Sequence, residues 1–128
     1  MRRVRWTFVL AWMGFLAYLS LGRAYPPPIE GALRITGTTV LHFAGYGILA
    51  AALAWALGGR ARSRLAAPAL AFAYGAVLEA LQLAVPGRTA DWADLGINLA
   101  GALTGTLIVL LAIRLSHRAR PNRGETPT

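Results

Sequence analysis

The sequence predicts an all-α fold, a bundle of four transmembrane helices joined by short loops, with both termini in the cytoplasm and a disordered C-terminal tail. Of the 128 residues, 56% are hydrophobic and only 14% are charged, a composition outside the usual range of soluble proteins. Four apolar segments are each near or above the roughly 17–20 residues that span a hydrocarbon core. The charges cluster at segment ends, so no helix carries the charged stripe of a soluble bundle.

The first half of the chain supplies two predicted helices, at 6–22 and 39–58. Neither contains a formal charge, and two glycines end the second. Three consecutive prolines at 26–28 favour an extended polyproline conformation, so residues 23–38 are expected to form a loop. An alternative interpretation of the first segment is a cleaved signal peptide, because arginines precede it and residues 22–24 resemble a small-x-small cleavage site.

The second half supplies the other two predicted helices, at 65–85 and 94–113. A short basic turn leads into the third helix, which implies an antiparallel hairpin with the second. Pro86 and Gly87 end the third helix, because neither residue favours its continuation. Residues 1–116 are therefore expected to form one transmembrane domain, followed by a basic cytoplasmic tail at 117–128.

The arginines predict the orientation of this domain. Ten of the 13 basic residues lie at the N-terminus, between helices two and three, or in the tail, and an even number of spans puts these three regions on one side. They are Arg2, Arg3, Arg5, Arg60, Arg62, Arg64, Arg114, Arg118, Arg120 and Arg123. The positive-inside rule makes that side the cytoplasm. The net charge of +8 does not indicate nucleic-acid binding, because no folded basic surface with stacking groups is visible.

Six strongly polar side chains interrupt the apolar second half of the chain. They are Glu79, Gln82, Arg88, Asp91, Asp94 and Asn98. A charged group near the middle of a bilayer costs about 2.5–3.5 kcal/mol on insertion scales, so such groups face a protein interior or a wet cavity and indicate function. This stretch is therefore the predicted site.

Helical spacing places these groups on inward faces and at a common depth. Asp94, Asn98, Gly101 and Gly105 share one stripe of the fourth helix, and Gly75, Glu79 and Gln82 share one stripe of the third. His42 and Tyr46, one turn apart on the second helix, lie in the same outer leaflet. The glycines are expected to permit close helix packing, as in GxxxG segments.

Several of these residues also have purely structural interpretations. Asp91 is suited to cap the fourth helix, and Asp94 to interact with its dipole. Gln82 is suited to bridge helices. Arg88 is compatible with a solvated loop, whereas a buried Glu79 must be paired, protonated or hydrated. The chain has no cysteine, which excludes disulfides, thiolate nucleophiles and cysteine-ligated zinc.

Two sequence blocks carry a resemblance to a known family. Residues 41–46 (LHFAGY) and 79–105 (EALQLAVPGRTADWADLGINLAGALTG) resemble the VanZ-like family of small integral membrane proteins, and their order and separation also fit. The family often has Asp-Lys shortly before the histidine, where this chain has Thr38 and Thr39. The resemblance implies a four-span protein of the cell envelope linked, through the founding member, to resistance to the glycopeptide teicoplanin.

The sequence leaves several functions open. The first is binding of a lipid-linked or amphiphilic ligand in the outer leaflet, and the second is an intramembrane enzyme with Glu79 or His42 as general base. The third is a structural or assembly subunit, and a homo-oligomer is compatible with each. No cofactor is expected. The first expectation is that the chain has no metal site, because no segment resembles HExxH. His42, Glu79 and Asp94 form an alternative ligand set.

Overall fold

The computed structural model describes residues 1–59, 61–87 and 89–118, without the side chains of 32–36 and 61. The described residues form helices and connecting turns only, as predicted. The helices are α1 (Arg2–Leu21), α2 (Pro27–Leu57), α3 (Ala61–Arg64), α4 (Ala67–Gln82) and α5 (Trp92–Arg118). Four segments of this described chain are long and apolar enough to cross a membrane: Arg2–Leu21, Gly37–Leu57, Arg62–Gln82 and Trp92–Arg118.

The predicted loop at 23–38 is wrong over most of its length, because α2 already begins at Pro27. Pro26 is extended, with φ −54° and ψ 147°, but the next two prolines occupy the first positions of the helix. The first-turn N–H groups of a helix have no intrahelical partner, so proline loses nothing there and its fixed φ suits the helix. Gly37, with φ 73° and ψ 156°, then kinks the helix before the membrane-spanning part.

A proline also explains why the third span is divided into α3 and α4. Pro68 lies in the first turn of α4 and has no N–H to donate to the carbonyl of Arg64, so a turn separates the two helices. The helix then ends at Gln82, three residues before the predicted end. The chain continues through turns to Gly87, whose φ is 82°.

The last helix is longer than predicted at both ends. Asp91 caps its start, since its Oδ1 accepts a hydrogen bond from the N–H of Ala93 at 2.8 Å. The helix extends to Arg118, so the first two residues of the predicted tail are helical. The rest of that tail, residues 119–128, lies outside the described residues.

Helix α2 forms the centre of the bundle and packs on α1, α4 and, most extensively, α5. Leu49, Ala50 and Ala54 of α2 are fully buried. Side chains near the middle of α1 and α4 also form hydrogen bonds between helices. The indole N–H of Trp12 donates to the carbonyl of Gly45 at 2.9 Å, and the hydroxyl of Tyr74 donates to the carbonyl of Met13 at 2.6 Å. Such bonds satisfy polar groups that lipid leaves unpaired.

The two ends of the bundle differ in chemistry. At one end, Arg5 donates to the carbonyl of Trp55 at 3.1 Å and stacks over its ring, beside a cavity that Arg64 and His117 also line. We call this the basic end. The opposite end holds His42, Glu79 and Asp94. Large apolar side chains remain exposed between the ends, on every long helix, which is the surface that a bilayer covers. The chain is thus a multi-pass membrane protein.

Candidate functional site

Three helices bring one potential ligand group each to the same point. His42 lies on α2, Glu79 on α4 and Asp94 on α5, and one ligand atom from each lies within 4.8 Å of the others. Asn98, one turn after Asp94, completes the group. We call these four residues the polar cluster. They lie far apart in the chain, so their meeting is a property of the bundle.

Asn98 fixes the imidazole of His42 within this cluster. Its Oδ1 lies 3.0 Å from His42 Nδ1, within hydrogen-bond distance, and an amide oxygen accepts this bond from the imidazole tautomer that carries its proton on Nδ1. The other ring nitrogen, Nε2, faces Asp94 Oδ2 at 3.6 Å. The side chains of His42 and Asp94 are each 22% exposed, whereas Asn98 is fully buried. Its Nδ2 has no hydrogen-bond partner among the described residues.

Glu79 is the most buried carboxylate of the described chain, at 5% exposure. Its Oε2 accepts a hydrogen bond from the backbone N–H of Asp91 at 3.1 Å. The side chain of Asp91 is exposed and caps α5, so Asp91 reaches Glu79 through its backbone only. Among the described residues, no basic side chain lies within ion-pair distance of Glu79. His42 is the only described basic side chain within ion-pair distance of Asp94. The cluster therefore contains two carboxylates and one imidazole.

Tyr46 lies beneath this cluster and needs space that a glycine supplies. Its ring stacks on that of His42, with centroids 6.3 Å apart, and it is 4% exposed. A Cβ at Gly75 would lie 2.9 Å from Tyr46 Cε1 and 3.1 Å from Asn98 Nδ2. Only glycine at position 75 lets α4 approach both side chains at this distance.

Two further glycines allow α5 to approach α2. A Cβ at Gly101 would overlap the carbonyl oxygen of Phe43, and one at Gly105 would overlap that of Gly47. The helices thus touch backbone to backbone along this seam. Since Asp94 and Asn98 lie on the same stripe of α5, the seam delivers them to His42.

A cavity of about 190 Å³ lies beside the polar cluster, between α1, α2 and α4. It is lined by Leu16, Leu19, Ser20, Tyr25, Thr38, Leu41, His42, Tyr46 and Gln82. His42 and Tyr46 therefore face both the cluster and the cavity, whereas Glu79 and Asp94 do not line the cavity. Gln82 belongs to its far wall, where its Nε2 donates to Oγ of Ser20 at 2.7 Å and to the carbonyl of Ser20 at 3.2 Å.

The sequence did not indicate the part that α1 and the following turn take in this cavity. Leu16 and Leu19 are apolar residues in an apolar helix, so nothing distinguishes them from lipid-facing neighbours. Ser20 and Tyr25 are the polar exceptions, and both sit near the end of a span, where polar residues are ordinary. Arg88, which was also predicted for the site, lies outside the described residues.

Comparison with known proteins places this arrangement in a family. A search of curated proteins and a search of solved structures gave no significant match. The family model described as VanZ/LLP1 matches residues 4–113 and thus covers all four apolar spans up to the last turns of α5. The matched region includes the whole polar cluster and the cavity. The chain belongs to the VanZ/LLP1 family.

Proposed function

We propose that this protein binds a lipid-linked or amphiphilic ligand in the outer leaflet of the cytoplasmic membrane, and that this binding contributes to glycopeptide resistance of the teicoplanin type. The observation that carries the proposal is the cavity beside the polar cluster, with His42 in the wall between them. Leucines supply the apolar part of this wall. An amphiphile needs such a combination of apolar surface and fixed polar groups.

The size of the cavity supports a ligand that remains partly in lipid. At about 190 Å³ it is smaller than the roughly 300–1,000 Å³ of pockets that enclose a drug-sized molecule. The cavity therefore holds a headgroup or a segment of a chain, while the rest of the ligand lies along the bundle. Bilayer lipids and lipid-linked envelope precursors are built in this way.

The charge of the site favours particular headgroups. Glu79 and Asp94 carry two formal negative charges, and among the described residues only His42 faces them with a basic group. These carboxylates do not line the cavity themselves, so hydroxyl, amide or ammonium groups of a ligand that extends from the cavity past His42 would satisfy them. Arg88, in the adjoining loop, would supply a bidentate donor for a phosphate or carboxylate on the same ligand.

The distribution of the arginines supports the proposed outer-leaflet position. Among the described arginines, Arg5 and Arg64 lie at the end opposite the polar cluster and Arg118 ends the helix that leads there. Arg23 lies at the polar end, beside Pro86. By the positive-inside rule the basic end faces the cytoplasm, which leaves the cluster and the cavity on the outer side.

A cavity-filling substitution tests the proposal. The full chain is purified in native membrane nanodiscs, and its bound lipids and metabolites are identified by mass spectrometry. Leu41→Trp places a large ring in the cavity wall, so we expect the specific ligand signal to fall at least tenfold. Leu103→Trp, at a position 52% exposed on the outer surface of α5, is the matched control and should keep the signal.

The resistance component is tested in cells. Expression of the wild-type chain in a susceptible host should raise the minimal inhibitory concentration of teicoplanin, and Glu79→Gln at equal protein levels should abolish the increase. The substitution retains the acceptor for the N–H of Asp91 but removes the charge. Equal ligand signals in wild type, Glu79→Gln and Leu41→Trp would refute the binding proposal, whatever the resistance result.

An enzyme acting on the same ligand is the second candidate. It is favoured by the orientation of His42, whose Nδ1 is held by Asn98 while the ring lines the cavity. A base so held by a third group is the usual arrangement for proton transfer. Incubation of purified protein with an envelope lipid extract should then yield a defined product that His42→Gln does not form.

A further inference from the structure

We propose that the polar cluster is a binding site for one divalent transition-metal ion, ligated by His42 Nε2 and by one carboxylate oxygen each of Glu79 and Asp94. One ligand atom from each of the three residues lies within 4.8 Å of the other two, and Nε2 is the ring nitrogen that faces Asp94, at 3.6 Å. Metal–ligand bonds of about 2.0–2.2 Å place neighbouring ligands roughly 3–3.5 Å apart. Side-chain rotations that move the ligand atoms by about an ångström therefore close the site, without movement of a helix.

The groups behind the ligands are arranged as metal sites require. A ligating histidine donates its other ring N–H to an oxygen, which fixes the ring and leaves the second nitrogen free to bind. Here Nδ1 of His42 lies 3.0 Å from Asn98 Oδ1, and in the tautomer with the proton on Nδ1 the lone pair of Nε2 faces Asp94, 3.6 Å away. Glu79 is held in a similar way, since its Oε2 accepts the N–H of Asp91, while no hydrogen bond to Oε1 is found among the described residues.

The charge of the cluster gives the second, independent argument. Two carboxylates, one of them 5% exposed, face each other at the edge of an apolar bundle with no described arginine in contact. An uncompensated pair of this kind is costly outside water. A dication neutralises both charges at once. The alternatives are protonation of a carboxylate or approach of Arg88, and the experiment below separates them.

The ligand types select the class of metal. One imidazole nitrogen with two carboxylate oxygens fits Zn²⁺, Mn²⁺ or Fe²⁺, whereas Mg²⁺ and Ca²⁺ prefer oxygen alone. Three protein ligands leave at least one coordination position open. Because His42 also lines the cavity, this position is the natural place for a phosphate or carboxylate of a bound molecule. The metal site does not depend on the proposed function, since the ion needs no amphiphile to bind.

The test is direct titration of the full chain in phosphatidylcholine nanodiscs, after purification without chelator and removal of bound metal. Zn²⁺ binding is followed by calorimetry and Mn²⁺ binding by electron paramagnetic resonance. We expect one ion per chain. Asp94→Asn and His42→Gln should each weaken binding at least tenfold. Loss of the supporting amide in Asn98→Ala should weaken it by about 10–100-fold.

The other histidine of the chain provides the matched control. His117 lies at the basic end, so His117→Gln should leave the affinity within twofold of wild type. Helical content and thermal unfolding of each variant show whether it is folded. Should Asn98→Ala fail to fold, the test rests on Asp94→Asn, because position 94 is partly exposed.

Three results would overturn the proposal. The first is absence of binding at millimolar Zn²⁺ and Mn²⁺. The second is binding that Asp94→Asn and His42→Gln leave unchanged. The third is binding that appears only in Arg88→Gln, which would show that Arg88 neutralises the carboxylates in the wild-type protein. Ligand copurification with wild type but not Leu41→Trp is measured separately, so failure of the metal site leaves the amphiphile proposal standing.

Discussion

Gln82 and Glu79 lie three residues apart on α4, yet their side chains contact different helices. Gln82 donates two hydrogen bonds to Ser20 of α1, while Glu79 accepts one from the backbone of Asp91 at the start of α5. Gln82 therefore behaves as the helix bridge that its chemistry allowed. Glu79 contributes a charge that the described structure does not neutralise.

This difference predicts that Gln82 contributes more to stability than Glu79. Gln82→Met keeps the length of the side chain but removes both bonds to Ser20, so we expect the free energy of unfolding to fall by about 0.6–1.7 kcal/mol. Reversible unfolding in mixed detergent micelles measures it. Thr104→Val is the control, because Thr104 bonds only to a carbonyl of its own helix and should change stability by less than about 0.5 kcal/mol.

Glu79→Gln is expected to leave stability unchanged or to raise it. The substitution relieves repulsion with Asp94 while the amide oxygen still accepts the N–H of Asp91. Residues kept for function often reduce stability, so their replacement improves it. A loss of more than about 1 kcal/mol in the same unfolding assay would instead assign Glu79 the structural role of locking α4 to α5.

At the scale of helices, the seam between α2 and α5 determines whether the site forms. Gly101 and Gly105 place the α5 backbone against the carbonyl groups of Phe43 and Gly47. A side chain in this seam has no space unless the two helices separate. Separation would also carry Asp94 and Asn98 away from His42.

Gly101→Ala is therefore expected to lower the free energy of unfolding by about 1–3 kcal/mol, the usual cost of overpacking. Gly96→Ala on the same helix is the control, since a Cβ there has no neighbour within 4 Å. It should be neutral or stabilising by up to about 1 kcal/mol, because alanine is the better helix former. Equal losses in both variants would show that the seam is not tightly packed.

The start of α2 shows how a local rule was misapplied. Three prolines indicated an extended loop, and the first of them is extended. The other two occupy the first helical positions, where no N–H is needed, and the carbonyl of Pro26 accepts from Ile29 and Glu30. Proline is disfavoured in the interior of a helix but not in its first turn. The sequence alone did not show that the first turn of α2 lies at these prolines.

At the scale of the whole molecule, the separation of a basic end from a polar end predicts the orientation in the membrane. The chain has no cysteine, so single cysteines are clean probes. In intact cells, an impermeant thiol reagent should label Ala24→Cys and Thr89→Cys, near the polar cluster, and should label Ser63→Cys only after permeabilisation. The reverse pattern would put the polar cluster in the cytoplasmic leaflet and refute an outer-leaflet ligand.

The sequence by itself determined the number of spans, the family resemblance and the positions of the costly polar groups. Each of these is a property of composition or of helical spacing, because lipid allows few structures besides apolar helices. The helical stripe that joins Asp94 to Asn98 and to Gly101, at spacings of four and three residues, is local in the same sense.

Only the tertiary structure decided which of those groups meet. It joined His42 to Asn98 and Asp94, left Gln82 bonded to Ser20, and made α1 one wall of a cavity. Periodicity gives the face on which a residue lies but not the neighbour that the face will contact. That choice depends on the rotation and close approach of helices distant in sequence, which here is set by glycine seams and by hydrogen bonds that exist only after packing.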